Sequence, residues 1–92
     1  VTRPEATSAQ ALPADALAVA VSAAGEVRCE GRPCDLAALG SLVRARLRGR
    51  PRLPVVVLAD RAARTAAVVA VMDRCRAAGA VRVALATEKP RR

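Results

Sequence analysis

One uncharged apolar run near the middle of the chain restricts the possible folds more than any other feature. It spans Leu53 to Ala59, is bounded by Pro51 and Asp60, and contains three consecutive valines. The run is too short for a typical helix, and β-branched valine favours strands. Because it shows no alternation, it predicts a strand buried on both faces, or nearly so, and Pro54 near its start removes only one ladder hydrogen bond.

The segment before this run predicts a hairpin followed by a helix. Apolar residues alternate over Ala16 to Ala23 and again over Glu26 to Glu30, which indicates two strands joined by a turn. Gly31-Arg32-Pro33 is interpreted as the next turn. Asp35 is expected to cap a helix that runs from Leu36 to about Gly49. The apolar residues at helical spacing in this segment are Leu36, Leu39, Val43 and Leu47.

The segment after the run predicts a second helix and a last strand. The helix is expected from Thr65 to Ala78, with Gly79 as its C-terminal cap, and Ala80 to Ala86 alternates as a strand. The residues expected to face inward from the helix are Val68, Met72 and Cys75, flanked by Val69 and Val71.

The predicted order of elements is strand, strand, helix, strand, helix, strand. This order predicts a two-layer α+β domain with a mixed sheet and two helices on one face. Leu53 to Ala86 is long enough for a right-handed parallel crossover, and the other face of the sheet should be wetter. Residues 16–87 are predicted to form the domain. Residues 1–15, which contain two prolines, are predicted to form an extended arm, and residues 88–92 a polar tail.

The composition disfavours most enzyme and cofactor chemistry. The chain has no histidine and no aromatic residue, so it lacks the usual general base near neutral pH. No glycine-rich phosphate loop is present. Asp60 and Asp73 invite a catalytic interpretation, but we expect Asp60 to accept backbone amide bonds at a turn and Asp73 to pair with a neighbouring arginine. The expectation is no catalytic residue, no cofactor and no metal site.

The three cysteines allow two interpretations. Cys29 and Cys34 flank a four-residue segment, and facing strand ends would bring their sulfur atoms within reach of a disulfide. They are equally compatible with small apolar packing residues. Cys75 is expected to pack inward on the second helix. Three cysteines without histidine fall short of the four ligands of a structural zinc site.

Arginines are frequent, and the net charge of the chain, +8, suggests an anionic partner. The densest run lies at the end of the first helix, and its candidates for contact with an anionic surface are Arg44, Arg48, Arg50 and Arg52. A solvated helix end that complements the helix dipole is the alternative. A small basic domain that binds nucleic acid or another anionic polymer is a competing function, although no aromatic side chain is available to stack on bases.

Six pieces of the sequence occur together at characteristic separations: Val1-Thr2-Arg3-Pro4-Glu5-Ala6; Leu17 to Val21 followed by Gly25 and Val27; Gly31-Arg32-Pro33 before Leu36; a strand ending in Ala59-Asp60; Val68-Val69-Ala70-Val71-Met72-Asp73; and Ala77-Ala78-Gly79. The combination resembles the periplasmic domain of the ExbD/TolR family and covers nearly the whole chain. One departure is Arg64, which stands where acidic or small helix caps are common.

The resemblance implies a non-enzymatic subunit of an inner-membrane motor driven by the proton gradient. Its expected partners are an ExbB/TolQ-like channel subunit, TonB-like or Tol-Pal proteins and a second copy of the chain, with no nucleic acid. The chain begins at Val1 and is expected to be a fragment, with a transmembrane helix carrying one aspartate before it and this domain in the periplasm. Partners are expected to bind by strand addition at sheet edges and at the arm. The arm residues that match the family are Val1, Pro4, Glu5 and Ala6.

Overall fold

The computed structural model describes residues 15–88 as seven elements around one sheet. They are β1 (Leu17–Val21), β2 (Val27–Cys29), β3 (Arg32–Cys34), α1 (Leu36–Gly49), β4 (Pro54–Asp60), α2 (Thr65–Ala77) and β5 (Arg82–Glu88). Residues 1–14 of the predicted arm and residues 89–92 of the predicted tail lie outside the described residues.

The sheet is mixed, with the strand order β3-β2-β1-β4-β5. β1, β4 and β5 are parallel neighbours, whereas β2 pairs antiparallel with both β1 and β3. Val55 of β4 lies between Leu17 of β1 and Val83 of β5. The two-layer α+β class and the mixed sheet predicted from the sequence are confirmed, with one additional strand, β3.

Both helices cover the same face of the sheet. The core cluster contains every second residue of the central strands, such as Val19 of β1 and Val57 of β4, together with residues of both helices. The helix residues of this cluster are Leu39, Val43, Val68, Val71 and Cys75. On the opposite face, Ala18 and Leu58 keep intermediate exposure, while Val56 is only 5% exposed. β4 is therefore nearly buried on both faces, as its unbroken apolar run predicts.

The turn after β2 differs from the prediction. Glu30 and Gly31 both have positive φ, at 54° and 82°, and Cys29 lies opposite Arg32. Positive φ at both central residues defines the two-residue hairpin turn that matches strand twist. The prediction of a turn at Gly31-Arg32-Pro33 is therefore wrong for its last two residues, which belong to β3. A proline is tolerated there because β3 is an edge strand, where one missing N–H is not needed by a neighbour.

Two of the predicted helix boundaries are confirmed by their hydrogen bonds. The Ala38 N–H donates to Asp35 Oδ1 at 2.8 Å, which caps α1. At the end of α2, the Gly79 N–H donates to the Arg76 carbonyl at 2.9 Å, and the Ala80 N–H donates to the Cys75 carbonyl at 3.1 Å. This pair of bonds is a Schellman motif, and the φ of 113° at Gly79 is one that glycine adopts without strain.

The last strand begins two residues later than predicted, at Arg82. Ala80 is used by the cap of α2, and the Val81 side chain is 68% exposed. On α2, Val71 is buried, whereas Met72, predicted to face inward, is only partly buried. Within residues 15–88, neither helix is long and apolar enough to cross a membrane.

Candidate functional site

β5 forms one of the two edges of the described sheet. β5 is seven residues long and pairs with β4 along its whole length, from Arg82 opposite Pro54 to Glu88 opposite Asp60. Within residues 15–88, no strand pairs with its other side. The Leu85 side chain is 49% exposed, and Val81 lies just before the strand. A long edge with exposed apolar side chains is suited to pair with another strand.

The opposite edge of the sheet is less suited to strand pairing. β3 has three residues, and its central residue, Pro33, has no N–H to donate. Arg28 reaches back across the hairpin and donates to the Gly31 carbonyl at 3.4 Å. Short edge strands and edge prolines are two features that discourage edge-to-edge pairing. The two edges of the sheet therefore differ in their capacity to bind a partner.

Cys29 of β2 and Cys34 of β3 are joined as a disulfide, with a Cα–Cα distance of 6.3 Å. The two residues lie diagonally across the hairpin because Cys29 is opposite Arg32 and Cys34 is opposite Val27. In an antiparallel pair such diagonal residues share one face of the sheet. The bond ties the short β3 strand to β2, next to the start of α1.

Arginine side chains line a cleft of about 550 Å³ at the end of the domain where β1, β4 and β5 begin, which we call the basal end. Arg50 and Arg52 come from the segment between α1 and β4, and Arg82 is the first residue of β5. Asp15 also lines the cleft and forms an ion pair with Arg50. The remaining lining residues are Gly49, Pro51, Leu53 and Pro54.

The structure brings only part of the predicted arginine set together. Arg50 and Arg52 line the cleft, whereas Arg44 and Arg48 are exposed on α1 and do not. Arg46, in the same run, forms an ion pair with Glu30 in the β2–β3 turn. The four residues predicted for anionic contact are therefore divided between a helix surface and a concave site.

The two carboxylates considered for catalysis have separate structural roles. Asp60 Oδ1 accepts a hydrogen bond from the Ala62 N–H at 2.7 Å, which confirms its predicted role in a turn. Asp73 pairs with an arginine on the same helix, as predicted: its Oδ1 atom lies 3.9 Å from Arg76 Nη1. Cys75 is fully buried, and this burial raises the pKa of its thiol, although the nearby charge of Arg76 lowers it. Residues 15–88 contain no cluster of three or more potential metal ligands.

Sequence reasoning missed Arg82 as a partner of Arg50 and Arg52. Parallel neighbours place the first residues of β4 and β5 side by side, which brings Arg82 to the same end of the sheet as the segment that contains Arg50 and Arg52. The available signal was the crossover itself, because Pro54 and Arg82 begin successive parallel strands. The arm residues proposed for partner binding, Val1, Pro4, Glu5 and Ala6, lie outside the described residues.

In the part of the chain that the structure describes, these features define a small α+β domain with an open edge at β5 and a basic cleft at its basal end. Residues 1–90 match the family model described as "Biopolymer transport protein ExbD/TolR". The chain is also 33% identical over 90 residues to "Biopolymer transport protein exbD2" of Vibrio cholerae serotype O1, an alignment that covers 98% of this chain and 67% of that protein. The chain therefore belongs to the ExbD/TolR family of biopolymer transport proteins.

Proposed function

We propose that this chain is the periplasmic domain of an inner-membrane motor subunit. Together with an ExbB/TolQ-like channel subunit, it couples the proton motive force to TonB-dependent transport or to maintenance of the envelope by the Tol-Pal system. Family membership over residues 1–90 supports this assignment. The domain acts by contact with other proteins, and no step of the proposal requires a catalytic residue.

The observation that carries the contact mechanism is the outer edge of β5, with which no other strand of residues 15–88 pairs. A partner strand added there would form main-chain hydrogen bonds with β5 and bury apolar side chains beside it. Leu85 and Val81, at 49% and 68% exposure, are the large apolar residues available at this edge. The partner is a strand of a TonB-like or Tol-Pal protein, or β5 of a second copy in a homodimer.

A lysine on this edge tests the mechanism. Leu85→Lys places on β5 the charged residue type that protects natural edges, and it removes apolar area worth about 1.5–3 kcal/mol when fully buried. We expect at least about ten-fold weaker capture of the partner, measured by cross-linking in the intact membrane complex. Val69→Lys is the matched control because Val69 is 47% exposed and lies on α2, not on a strand of the sheet.

Homodimer formation is tested with the same pair of variants. Sedimentation over a wide concentration range should show a monomer–dimer equilibrium that Leu85→Lys shifts toward monomer and Val69→Lys does not. A purely monomeric chain, together with no cross-link between protomers in the membrane complex, would remove the dimer from the proposal. If Leu85→Lys and Val69→Lys capture the partner equally well, the β5 edge is not the binding surface.

The arm is the second proposed contact. Deletion of residues 1–7, or Pro4→Gly, is expected to weaken partner capture while leaving the thermal midpoint of unfolding nearly unchanged, because the arm precedes the first core strand, Leu17–Val21. The measurement compares capture and thermal unfolding for the same preparations. Capture unchanged by the deletion would contradict a binding role for Val1, Pro4, Glu5 and Ala6.

Membrane anchoring has an independent test in the gene. We expect the codons before Val1 to encode about twenty apolar residues, the length that spans a bilayer, with one aspartate among them.

The TonB-linked and Tol-linked branches are distinguished by expressing the protein in a strain that lacks its own family member. Restored uptake through a TonB-dependent receptor indicates the TonB-linked branch, and reduced leakage of periplasmic enzymes indicates the Tol-linked branch. Rescue of neither property would contradict the motor assignment.

A further inference from the structure

The charges of the domain are distributed unevenly along its length. Parallel strands begin at the same end, so the first residues of β1, β4 and β5 meet at the basal end, where α1 and α2 also finish. The arginines at this end are Arg32, Arg46, Arg48, Arg50, Arg52, Arg76 and Arg82, accompanied by the carboxylates of Asp15, Glu30 and Asp73. The opposite end carries Glu26, Asp35, Asp60, Arg61 and Arg64. The basal end is therefore the positive end of the domain.

The helix dipole explains only part of this asymmetry. Arg48 and Arg76 lie in the last turns of their helices, where cations complement the negative end of the dipole. Arg52 and Arg82 lie outside both helices. They face the same cleft as Arg50, and among residues 15–87 neither has a carboxylate within 4.0 Å. A planar guanidinium suits the oxygen atoms of a phosphate, so a pair of such groups favours that ligand.

We propose that the cleft lined by Arg50, Arg52 and Arg82 binds the phosphate of an anionic phospholipid headgroup. This inference rests on the proposed membrane anchoring and names a further contact for the same subunit. Asp15, the first residue that the structure describes, lines the cleft. The fourteen residues before Asp15 span at most about 50 Å, so a membrane anchor before them would let the cleft reach the bilayer.

Electrostatic range supports contact through the basal end in particular. Attraction to an anionic membrane falls off within a Debye length, about 8–10 Å at moderate salt. Only the face that lies against the bilayer therefore gains from it. The carboxylate of Asp15 forms an ion pair with Arg50, and a phosphate would compete with that carboxylate for the same guanidinium.

The test measures binding of the 92-residue chain to vesicles of phosphatidylcholine alone or mixed with phosphatidylglycerol. The cleft variant, Arg52→Gln with Arg82→Gln, removes two charges from the cleft. The matched control, Arg61→Gln with Arg64→Gln, removes two charges from the opposite end and leaves the same net charge. Each membrane-facing arginine contributes roughly five-fold, so the cleft variant should bind mixed vesicles about twenty-five-fold more weakly.

The control variant should lose less than about two-fold, and Asp15→Asn, which frees Arg50, should strengthen binding several-fold. Equal losses in the two double variants would overturn the proposal, because net charge alone would then account for binding. Equal binding to both vesicle types would also overturn it. So would full competition by inorganic phosphate at the ionic strength of the assay, or tighter binding of duplex DNA than of mixed vesicles at the same salt concentration.

Partner capture by a single cleft variant separates this inference from the proposed function. Arg52→Gln removes one charge from the cleft and leaves every residue of β5 unchanged, so it should still capture the partner protein. Lipid binding about five-fold weaker in Arg52→Gln, together with normal capture, supports two separate contacts. If wild-type chain captures its partner but does not distinguish the two vesicle types, the lipid inference fails and the proposed function stands.

Discussion

Gly40 of α1 lies against the side chain of Arg74 on α2, and a Cβ atom at position 40 would stand 3.1 Å from Arg74 Cδ. Gly40 is buried, whereas Arg74 is exposed to solvent. The two helices therefore approach each other where one has no side chain and the other has a flexible aliphatic stem. This contact sets how much volume position 40 accepts.

Substitution of Gly40 should separate a helix-propensity effect from a packing effect. Gly40→Ala is expected to raise the free energy of unfolding by up to about 1 kcal/mol, because alanine favours the helix and the exposed Arg74 stem can shift by a few tenths of an ångström. Gly40→Val is expected to lower it by about 1–3 kcal/mol, because the added methyl groups overfill the contact. Urea unfolding measures both changes. Destabilisation by Gly40→Ala would show that the Arg74 stem cannot move.

The N-terminus of α2 offers a stabilising substitution. Its cap residue, Arg64, has extended backbone dihedrals and makes no side-chain hydrogen bond to the helix. Serine at this position has a hydroxyl that accepts from a free N–H of the first turn. Arg64→Ser is therefore expected to raise the free energy of unfolding by about 0.5–2 kcal/mol.

Two further variants separate capping from charge at this position. Arg64→Ala removes the unfavourable positive charge beside the helix N-terminus but supplies no acceptor, so it should gain less than Arg64→Ser. Asp35→Ala removes the existing cap of α1, in which Asp35 Oδ1 accepts from Ala38, and should cost about 1 kcal/mol. Equal stability of the serine and alanine variants of Arg64 would rule out a capping contribution.

The predictions from sequence succeeded where local chemistry determines local structure. The run from Leu53 to Ala59 predicted the central strand because valine-rich runs without alternation must be buried on both sides. Asp35 and Gly79 predicted helix ends because their side chains, or the absence of one, satisfy main-chain groups of the same few residues.

The predictions failed where structure depends on pairing across the chain. β3 has only three residues, too few to show the alternation of apolar and polar residues that indicates a strand. The turn before it requires positive φ at Glu30, and glutamate is not a residue type that indicates such a turn. The cleft depends on the register of β4 and β5, which places Arg82 opposite Pro54. The Cys29–Cys34 spacing was compatible with a bond or with free thiols, because spacing alone does not determine the direction of the side chains.

Reduction of the Cys29–Cys34 disulfide should destabilise the domain modestly. The sequence separation of the two cysteines is 5, and closing so short a loop in the unfolded chain is worth about 2 kcal/mol in the chain-entropy model. We expect reductant to lower the free energy of unfolding by that amount and to add two hydrogen atoms to the mass. The double variant Cys29→Ser with Cys34→Ser should be insensitive to reductant. Two thiols that react with an alkylating reagent before reduction would contradict the bond.

The buried thiol of Cys75 should make the domain less stable in alkaline solution. Burial raises its pKa in the folded chain, and the nearby charge of Arg76 only partly opposes this. Between the pKa of an unfolded cysteine, about 8.5, and the higher folded value, the folded state binds more protons than the unfolded state. Its contribution to stability is therefore fully present below about pH 8.5 and is lost as the pH rises through the folded pKa.

Composition makes this alkaline transition simple to assign. The chain contains no tyrosine and one lysine, and cysteines in a disulfide do not titrate, so few other side chains ionise in this range. Urea unfolding in steps from neutral pH upward should show a slope of up to about 1.4 kcal/mol per pH unit. In Cys75→Ala the slope should be flatter. The smaller side chain also lowers the free energy of unfolding, but it does so equally at every pH. A slope that persists in Cys75→Ala would assign the pH dependence to another group.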